Sequence, residues 1–376
     1  MRKEEHWVFW QPMPSPHFAP FIRELLNRLE DGHIVTCVFE RTLTRDRTDL
    51  GWEVPNYGNA NVIICPSEEK LRKLTGEQGV QYLHFFSSLI ASRWLRTIYQ
   101  QLDKKGMFLG IITENRDGAG LKGALRWGHS WLVERPWRRE IDVVFAMGQL
   151  GVDWLVSVGY PPEKVFPFGY VVDQAPLKPQ VGLATEVISF VFVGRLDRGK
   201  NVALLLNSFL RKGFDKCRLI VVGDGPERSN LEQLVAKSKY GHVVQFTGVL
   251  KNSEVWDVLG KADCLVLPSR YDGWGAVINE ALLSGARVIV SDRCGAATVV
   301  RDGYNGRVFR SGSVESLVEA LKSVRAQGPI DATTRMDLIE SASVIKEKAL
   351  VTYFLEVVRH AQSGRKSMRP IAPWLF

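Results

Sequence analysis

Residues 263–285 constrain the fold of this chain more than any other stretch. An apolar run from Cys264 to Leu267 ends at Pro268, a loop carries Gly273 and Gly275, and helical spacing over 276–284 stops at Gly285. That order reads strand, glycine loop, helix. The two glycines let a ligand approach the backbone, and the amides that open the helix face the same spot, which favours an anion there. Asp272 stands at the lip of the loop. Glu280 lies about one helical turn inside, on a helix whose buried face would otherwise be apolar. A carboxylate repels a neighbouring phosphate, so both acids suit hydroxyl groups. Phosphates together with hydroxyls point to a sugar nucleotide.

The rest of the chain repeats the same alternation. With 376 residues, 45% hydrophobic and 24% charged, it is long enough for two domains with full cores. Strands are expected at 7–10, 34–39, 61–65, 80–86, 107–113, 141–146 and 165–171. Helices are expected at 18–29, with Ser15 as cap and Pro16 in the first turn, and at 88–104 and 148–159, with Ser67 capping a short one. A proline- and glycine-bearing linker falls at 176–182. Beyond it, strands at 187–193, 243–248, 264–267 and 287–290 alternate with helices at 201–209, 227–237, 276–284, 313–326 and 343–360. The class is α/β, with parallel sheets covered on both faces and ligands at the carboxyl ends of strands.

Arg195 and Lys200 bracket the turn between the strand at 187–193 and the helix at 201–209. Two cations there can neutralise a diphosphate, and a planar guanidinium suits bidentate contact. The alternative is a pair of solvated charges.

The chain from 190 to 325 resembles the family 4 retaining glycosyltransferases, also described as glycosyl transferases group 1. Asp272 and Glu280 are similar to that family's paired acidic residues, and Gly194, Arg195 and Leu196 with Lys200 are similar to its diphosphate-binding pair. Further likenesses are Val221 through Pro226, Phe246 through Gly248, and Asp302 through Gly306. The first acidic position is usually Glu, and here it is Asp272.

The resemblance implies the GT-B fold, two Rossmann-like domains facing across a cleft. The domains would be 1–174 and 175–354, with a terminal helix at about 355–376 crossing back to the first. It implies a hexosyltransferase acting with retention and without metal or cofactor. The donor, a UDP- or GDP-linked sugar, would be held by Gly194, Arg195, Lys200, Leu250, Asp272, Gly273, Trp274, Gly275, Ala276 and Glu280. Arg195, Lys200 and Asp272 would be catalytic, Asp272 orienting the sugar, while Glu280 binds the ribose. The basic, tryptophan-rich first domain fits a lipid-linked saccharide as acceptor, as in bacterial O-antigen, capsule or exopolysaccharide assembly, with a soluble saccharide as the alternative. A sugar-nucleotide epimerase of similar fold and a non-catalytic binder are the alternatives.

The first half resembles the family only loosely. Its first loop, 11–17, has no glycine, so it is expected to shape the acceptor side, with His17 near the helix start or simply at the surface. Glu114 follows a strand, where many relatives have a histidine, and reads either as an acceptor-side group or as a structural pair with an arginine. A formal charge of +8 is compatible with anionic lipid or phosphorylated substrates, and no nucleic-acid signature accompanies it. Arg126, Trp127, Trp131, Arg135, Trp137, Arg138 and Arg139 crowd one segment. Either they meet an anionic membrane peripherally, or the tryptophans pack inward beneath solvated arginines. The tail, Arg365 to Phe376, is expected to touch lipid or to be disordered. Five scattered cysteines read as buried free thiols in a reducing compartment, and no apolar run approaches a spanning length. The expectation is a cytoplasmic protein, peripheral at the inner face of the cytoplasmic membrane.

Overall fold

The computed structural model of the protein describes residues 4–48, 53–74, 80–173 and 187–375. The expected linker at 176–182 lies outside the described residues. Thirteen strands are described: β1 (Glu5–Gln11), β2 (Ile34–Phe39), β3 (Asn61–Ile64), β4 (Gln81–Ser87), β5 (Phe108–Thr113), β6 (Val143–Met147), β7 (Val165–Phe168), β8 (Ile188–Val193), β9 (Cys217–Val222), β10 (Val244–Gly248), β11 (Cys264–Leu267), β12 (Arg287–Ser291) and β13 (Gly306–Phe309).

They form two wholly parallel sheets, ordered β3-β2-β1-β4-β5-β6-β7 and β10-β9-β8-β11-β12-β13. Parallel strands need both faces covered, and the residues supply this: β5, β6, β11 and β12 are buried along their whole length. In each sheet the strand order reverses beside the first strand, between β1 and β4 and between β8 and β11. Such a reversal opens a crevice at the carboxyl ends of the strands.

The chain divides into one unit of Met1–Asp173 with Lys346–Phe376, and a second of Gln174–Ile345. The return to the first unit therefore begins at 346, against the expected 355. Its cause is Phe354, on the helix Glu347–Gln362. The Phe354 ring is buried 4.6 Å from that of Phe145 and 4.9 Å from that of Phe21, with Phe85 at 5.1 Å. Removing so large an aromatic from a closed cluster would cost about 3 to 5 kcal/mol.

Several expected boundaries moved. The helix foreseen at 18–29 is Ala19–Arg28, with Phe18 at its cap, no side-chain capping bond, and Pro20 rather than Pro16 in its first turn. Ser15 instead accepts the His17 amide at 3.3 Å. The helix foreseen at 88–104 is Arg93–Gln101, because Ser92 is the residue whose hydroxyl accepts a helix amide, that of Leu95. The segment at 343–360 is preceded by a separate helix, Ala332–Ser341, capped by Asp331. The tail is packed: Ala372 and Trp374 are buried, Arg365 donates to the Asp142 carbonyl at 2.6 Å, and Arg369 donates to that of Val165 at 2.7 Å. Cys65 is exposed, while Cys37, Cys217, Cys264 and Cys294 are buried and unpaired.

Candidate functional site

In the second unit the loops after β8 and β11 flank the reversal of strand order, and backbone bonds knit them together. The Gly194 amide donates to Val222 at 3.1 Å, Gly223 donates to Gly248 at 2.8 Å, and Arg270 donates to Gly199 at 2.8 Å. Gly223 has no alternative: a Cβ there would stand 1.9 Å from the Gly194 carbonyl oxygen. The tips of β8, β9, β10 and β11 are thus held as one edge.

Arg195 extends from this edge, largely exposed, its Nε 3.9 Å from Asp197 Oδ2. Asp197 also accepts the Lys200 amide at 2.9 Å, which fixes the turn that presents the lysine. Lys200 Nζ reaches across the reversal to Asp272 Oδ2 at 2.5 Å, and Ser269 Oγ lies 3.5 Å from the same oxygen. Asp272 is anchored by its backbone, its amide donating to Arg293 at 3.1 Å and its carbonyl accepting from Gly295 at 3.2 Å. The sequence separated Lys200 and Asp272 into two roles; folding makes them a pair.

Gly275 adopts φ +90°, and a Cβ on it would fall 2.8 Å from both Cys294 Sγ and Leu267 Cδ2. Among the described residues, the Gly275 and Ala276 amides donate to no partner. The helix they open, Val277–Leu283, has seven residues. Local amides, more than a long helix dipole, therefore make this an anion-binding spot. Gly273 is buried beneath, where Gly295 passes so closely that a Cβ would lie 2.3 Å from the Gly273 oxygen.

Trp274 contributes to this loop from the core side. Its indole is turned into the core, 1% exposed, and donates to Asn279 Oδ1 at 2.8 Å. The side chain therefore braces the loop from below and is not offered to a ligand. Leu250 is half-buried beyond β10, on the same sheet edge but on the far side of β9 and β8. Glu280 is partly exposed yet ringed by protein, and desolvation alone pushes its carboxyl up to about 7. Among the described residues, no cation or side-chain donor meets that carboxylate. A desolvated acid without a partner fits a binding group better than a structural one.

In the first unit, His17 and Glu114 come together through a residue that sequence reasoning missed. The His17 ring stacks on Tyr170, centroids 5.6 Å apart, and the Tyr170 hydroxyl donates to Glu114. All three lie past the carboxyl ends of their strands, β1, β5 and β7. Burial, assisted by the Arg47 charge, drops His17 to about 4, so its imidazole is neutral at physiological pH. Tyr170 is hidden by the expectation of a strand over 165–171; β7 ends at Phe168, and Tyr170 follows it in an irregular segment. Among the described residues, no cluster of three or more His, Cys, Asp or Glu could hold a metal, and no helix is long and apolar enough to cross a membrane.

The segment rich in arginine and tryptophan divides. Trp137 is buried, and Arg138 donates to the carbonyls of Ser130 and Trp131. Arg126 donates to the Asp117 carbonyl. These residues serve the fold. Trp127 and Trp131 remain exposed, at 40% and 47%.

Comparison with known proteins agrees with this architecture. Residues 173–343 match the family model described as Glycosyl transferases group 1. An alpha-monoglucosyldiacylglycerol synthase of Acholeplasma laidlawii is 22% identical over 228 residues, 59% of this chain and 57% of that protein. An alpha-D-kanosaminyltransferase of Streptomyces kanamyceticus is 30% identical over 154 residues, 39% of each. The chain thus spans about half the length of the curated relatives it matches. Among solved structures, Anabaena Alr3699/HepE in complex with UDP superposes with a TM-score of 0.69 at 14% identity, covering 94% of this chain and 99% of that one. The fold is GT-B.

Proposed function

We propose that the chain is a retaining glycosyltransferase that moves a hexose from a UDP- or GDP-linked donor to a saccharide acceptor. The observation that carries this reading is the second unit's site. Cations at Arg195 and Lys200 and the unengaged amides of Gly275 and Ala276 suit a diphosphate, and the unpartnered Glu280 carboxylate suits a pair of ribose hydroxyls. The family match over 173–343 supports it, as does the likeness to a fold that binds UDP.

In this mechanism the bond from the anomeric carbon to the diphosphate oxygen breaks as the acceptor oxygen bonds to the same carbon on the same face, and the proton of the acceptor hydroxyl passes to the departing diphosphate oxygen. Negative charge gathers on the departing diphosphate, where Arg195, Lys200 and the loop amides stabilise it. Asp272 releases Lys200 to the phosphates and turns to the sugar hydroxyls. This assignment requires no metal or other cofactor, since the protein's own cations supply the positive charge. His17, Tyr170 and Glu114 serve the acceptor, the neutral imidazole and the carboxylate taking hydroxyl protons as hydrogen-bond acceptors.

The acceptor in this reading is lipid-linked, within cell-surface polysaccharide assembly at the inner face of the cytoplasmic membrane. The Acholeplasma relative is a synthase of a glucosylated diacylglycerol, which favours lipid. The test is incubation with a panel of nucleotide sugars, with and without membrane extract, and with and without a chelator. Transfer that needs extract and survives chelation supports the proposal. Acceptor-free conversion of the sugar would make the chain an epimerase, and no consumption of any donor would make it a binder.

A further inference from the structure

The helix Gly120–Val133 carries its apolar residues on the outside. The residues it buries are Gly123 and Ser130, and a Cβ on Gly123 would lie 2.1 Å from the Gly118 carbonyl. The helix therefore rests on the loop after β5 by its smallest side chains. Outward stand Leu121 at 87% exposure, Leu125 at 76% and Leu132 at 65%, beside Trp131 and Trp127. At about 100° per residue the three leucines fall within an arc of roughly 40°, and Trp131 and Trp127, about 80° and 120° further round, widen the apolar face to roughly 160°. Their rings run nearly parallel, 6.5 Å apart, and Trp127 Nε1 donates to Ser157 Oγ at 3.2 Å.

The rim of this face is basic. Lys122, Arg135 and Arg139 are exposed around it, with His129 at its margin. The acids nearby are engaged: Glu134 is buried against Arg116 at 2.6 Å, Glu140 meets Lys104 at 2.7 Å, and Asp117 accepts the Ala119 amide at 3.0 Å. Large apolar side chains contiguous on one helix mark an interaction surface, unlike the scattered ones of an ordinary exterior. A cationic rim around such a face complements anionic headgroups. It opposes a symmetric second copy, whose rim would bring like charges together.

We propose that helix Gly120–Val133 docks on an anionic bilayer. Leu121, Leu125, Leu132, Trp127 and Trp131 enter the acyl boundary, while Lys122, Arg135 and Arg139 meet lipid phosphates. This deepens the reading of a lipid-linked acceptor, and rests on that reading only for the use to which the contact is put. It also replaces Arg126, Trp137 and Arg138, which are committed to the fold, with leucines that composition alone did not single out.

The experiment is co-sedimentation with phosphatidylcholine vesicles, with and without phosphatidylglycerol, at low and high salt. The full chain should bind the phosphatidylglycerol vesicles and keep a substantial part of that binding at high salt. The triple variant Leu121→Ser, Leu125→Ser, Leu132→Ser should bind about tenfold more weakly or worse. Its circular dichroism and its affinity for nucleoside diphosphate should not change, because all three side chains are exposed. Brominated lipid should quench tryptophan emission in the full chain and much less in Trp127→Phe, Trp131→Phe. The proposal is overturned if the full chain stays in the supernatant at low salt, or if the leucine variant partitions like the parent. Leucine-dependent dimers in sedimentation equilibrium without lipid would overturn it too, making a second copy the occupant. No donor or acceptor is present in these assays, so their failure leaves the transfer reading standing. Normal vesicle binding with no donor use would sink only the transfer reading.

Discussion

Lys200 Nζ and Asp272 Oδ2 are 2.5 Å apart, so the cation assigned to the diphosphate and the carboxylate assigned to the sugar are each other's partner. Their side chains come from loops 72 residues apart and meet at the reversal of strand order between β8 and β11. In the proposed function, donor binding exchanges this pair for two new contacts. At 29% and 14% side-chain exposure the pair is largely shielded from water, so the exchange requires that the donor's phosphates and hydroxyls replace both partners.

The Asp272→Asn variant separates the two functions. It frees Lys200, so affinity for the bare nucleoside diphosphate should hold or rise a few-fold, while turnover falls on the order of a hundredfold through loss of sugar orientation. Lys200→Ala should lower both. Calorimetry and single-turnover transfer measure the two arms. Native-rate transfer by Asp272→Asn would reduce the carboxylate to a resting partner for the lysine.

Gly275→Ala probes the loop itself. The added Cβ meets Cys294 Sγ and Leu267 Cδ2 at 2.8 Å, at a φ of +90° that L-residues avoid. A loss of about 2 to 4 kcal/mol in urea unfolding is expected, together with weaker diphosphate binding. Unchanged stability would mean that the loop relaxes freely and is not a preformed cradle.

The parts of this account that a linear reading reached are those with local causes. Apolar runs ended by proline or glycine located β1, β8 and β11, and the position of Glu280 inside an apolar helix marks it as unusual. What escaped depends on distant contacts. Trp274 sits between two glycines in the loop and reads as a ligand contact, yet its indole is claimed by Asn279. Arg138 reads as a membrane contact or a solvated cation, yet it donates to two backbone carbonyls. The return of the last helix at 346 follows from the fit of Phe354 among rings from five other elements, which no local pattern encodes.

Glu280 gives a pH signature. Its carboxyl is raised from 4.5 to about 7, so between those values the folded chain holds a proton that the unfolded chain has lost. Stability contributed by this group therefore falls as pH rises through that window and levels off above it. Donor binding runs the other way, because the ionised carboxylate is the stronger acceptor for ribose hydroxyls. Affinity for nucleoside diphosphate should increase between about pH 6 and 8, with proton release seen as buffer-dependent heat, and Glu280→Gln should flatten both trends. A variant that keeps the native pH profile would place the titrating group elsewhere.

Tyr170→Phe tests the first unit's cluster. Removing the hydroxyl leaves the ring stacked on His17 but releases Glu114. The acceptor KM should rise about tenfold, since a hydrogen bond to a charged group is lost, with donor affinity unaltered. An unchanged acceptor KM would make the cluster structural.

The second unit is expected to bind a nucleoside diphosphate through the residues named. Calorimetry with UDP and with GDP, on the parent chain and on Glu280→Ala, decides it. One of the two nucleotides should bind at a single site without added metal, and Glu280→Ala should weaken that binding by about 2 kcal/mol or more in a protein of native circular dichroism. Binding of neither nucleotide, or equal binding by parent and variant, would contradict the account.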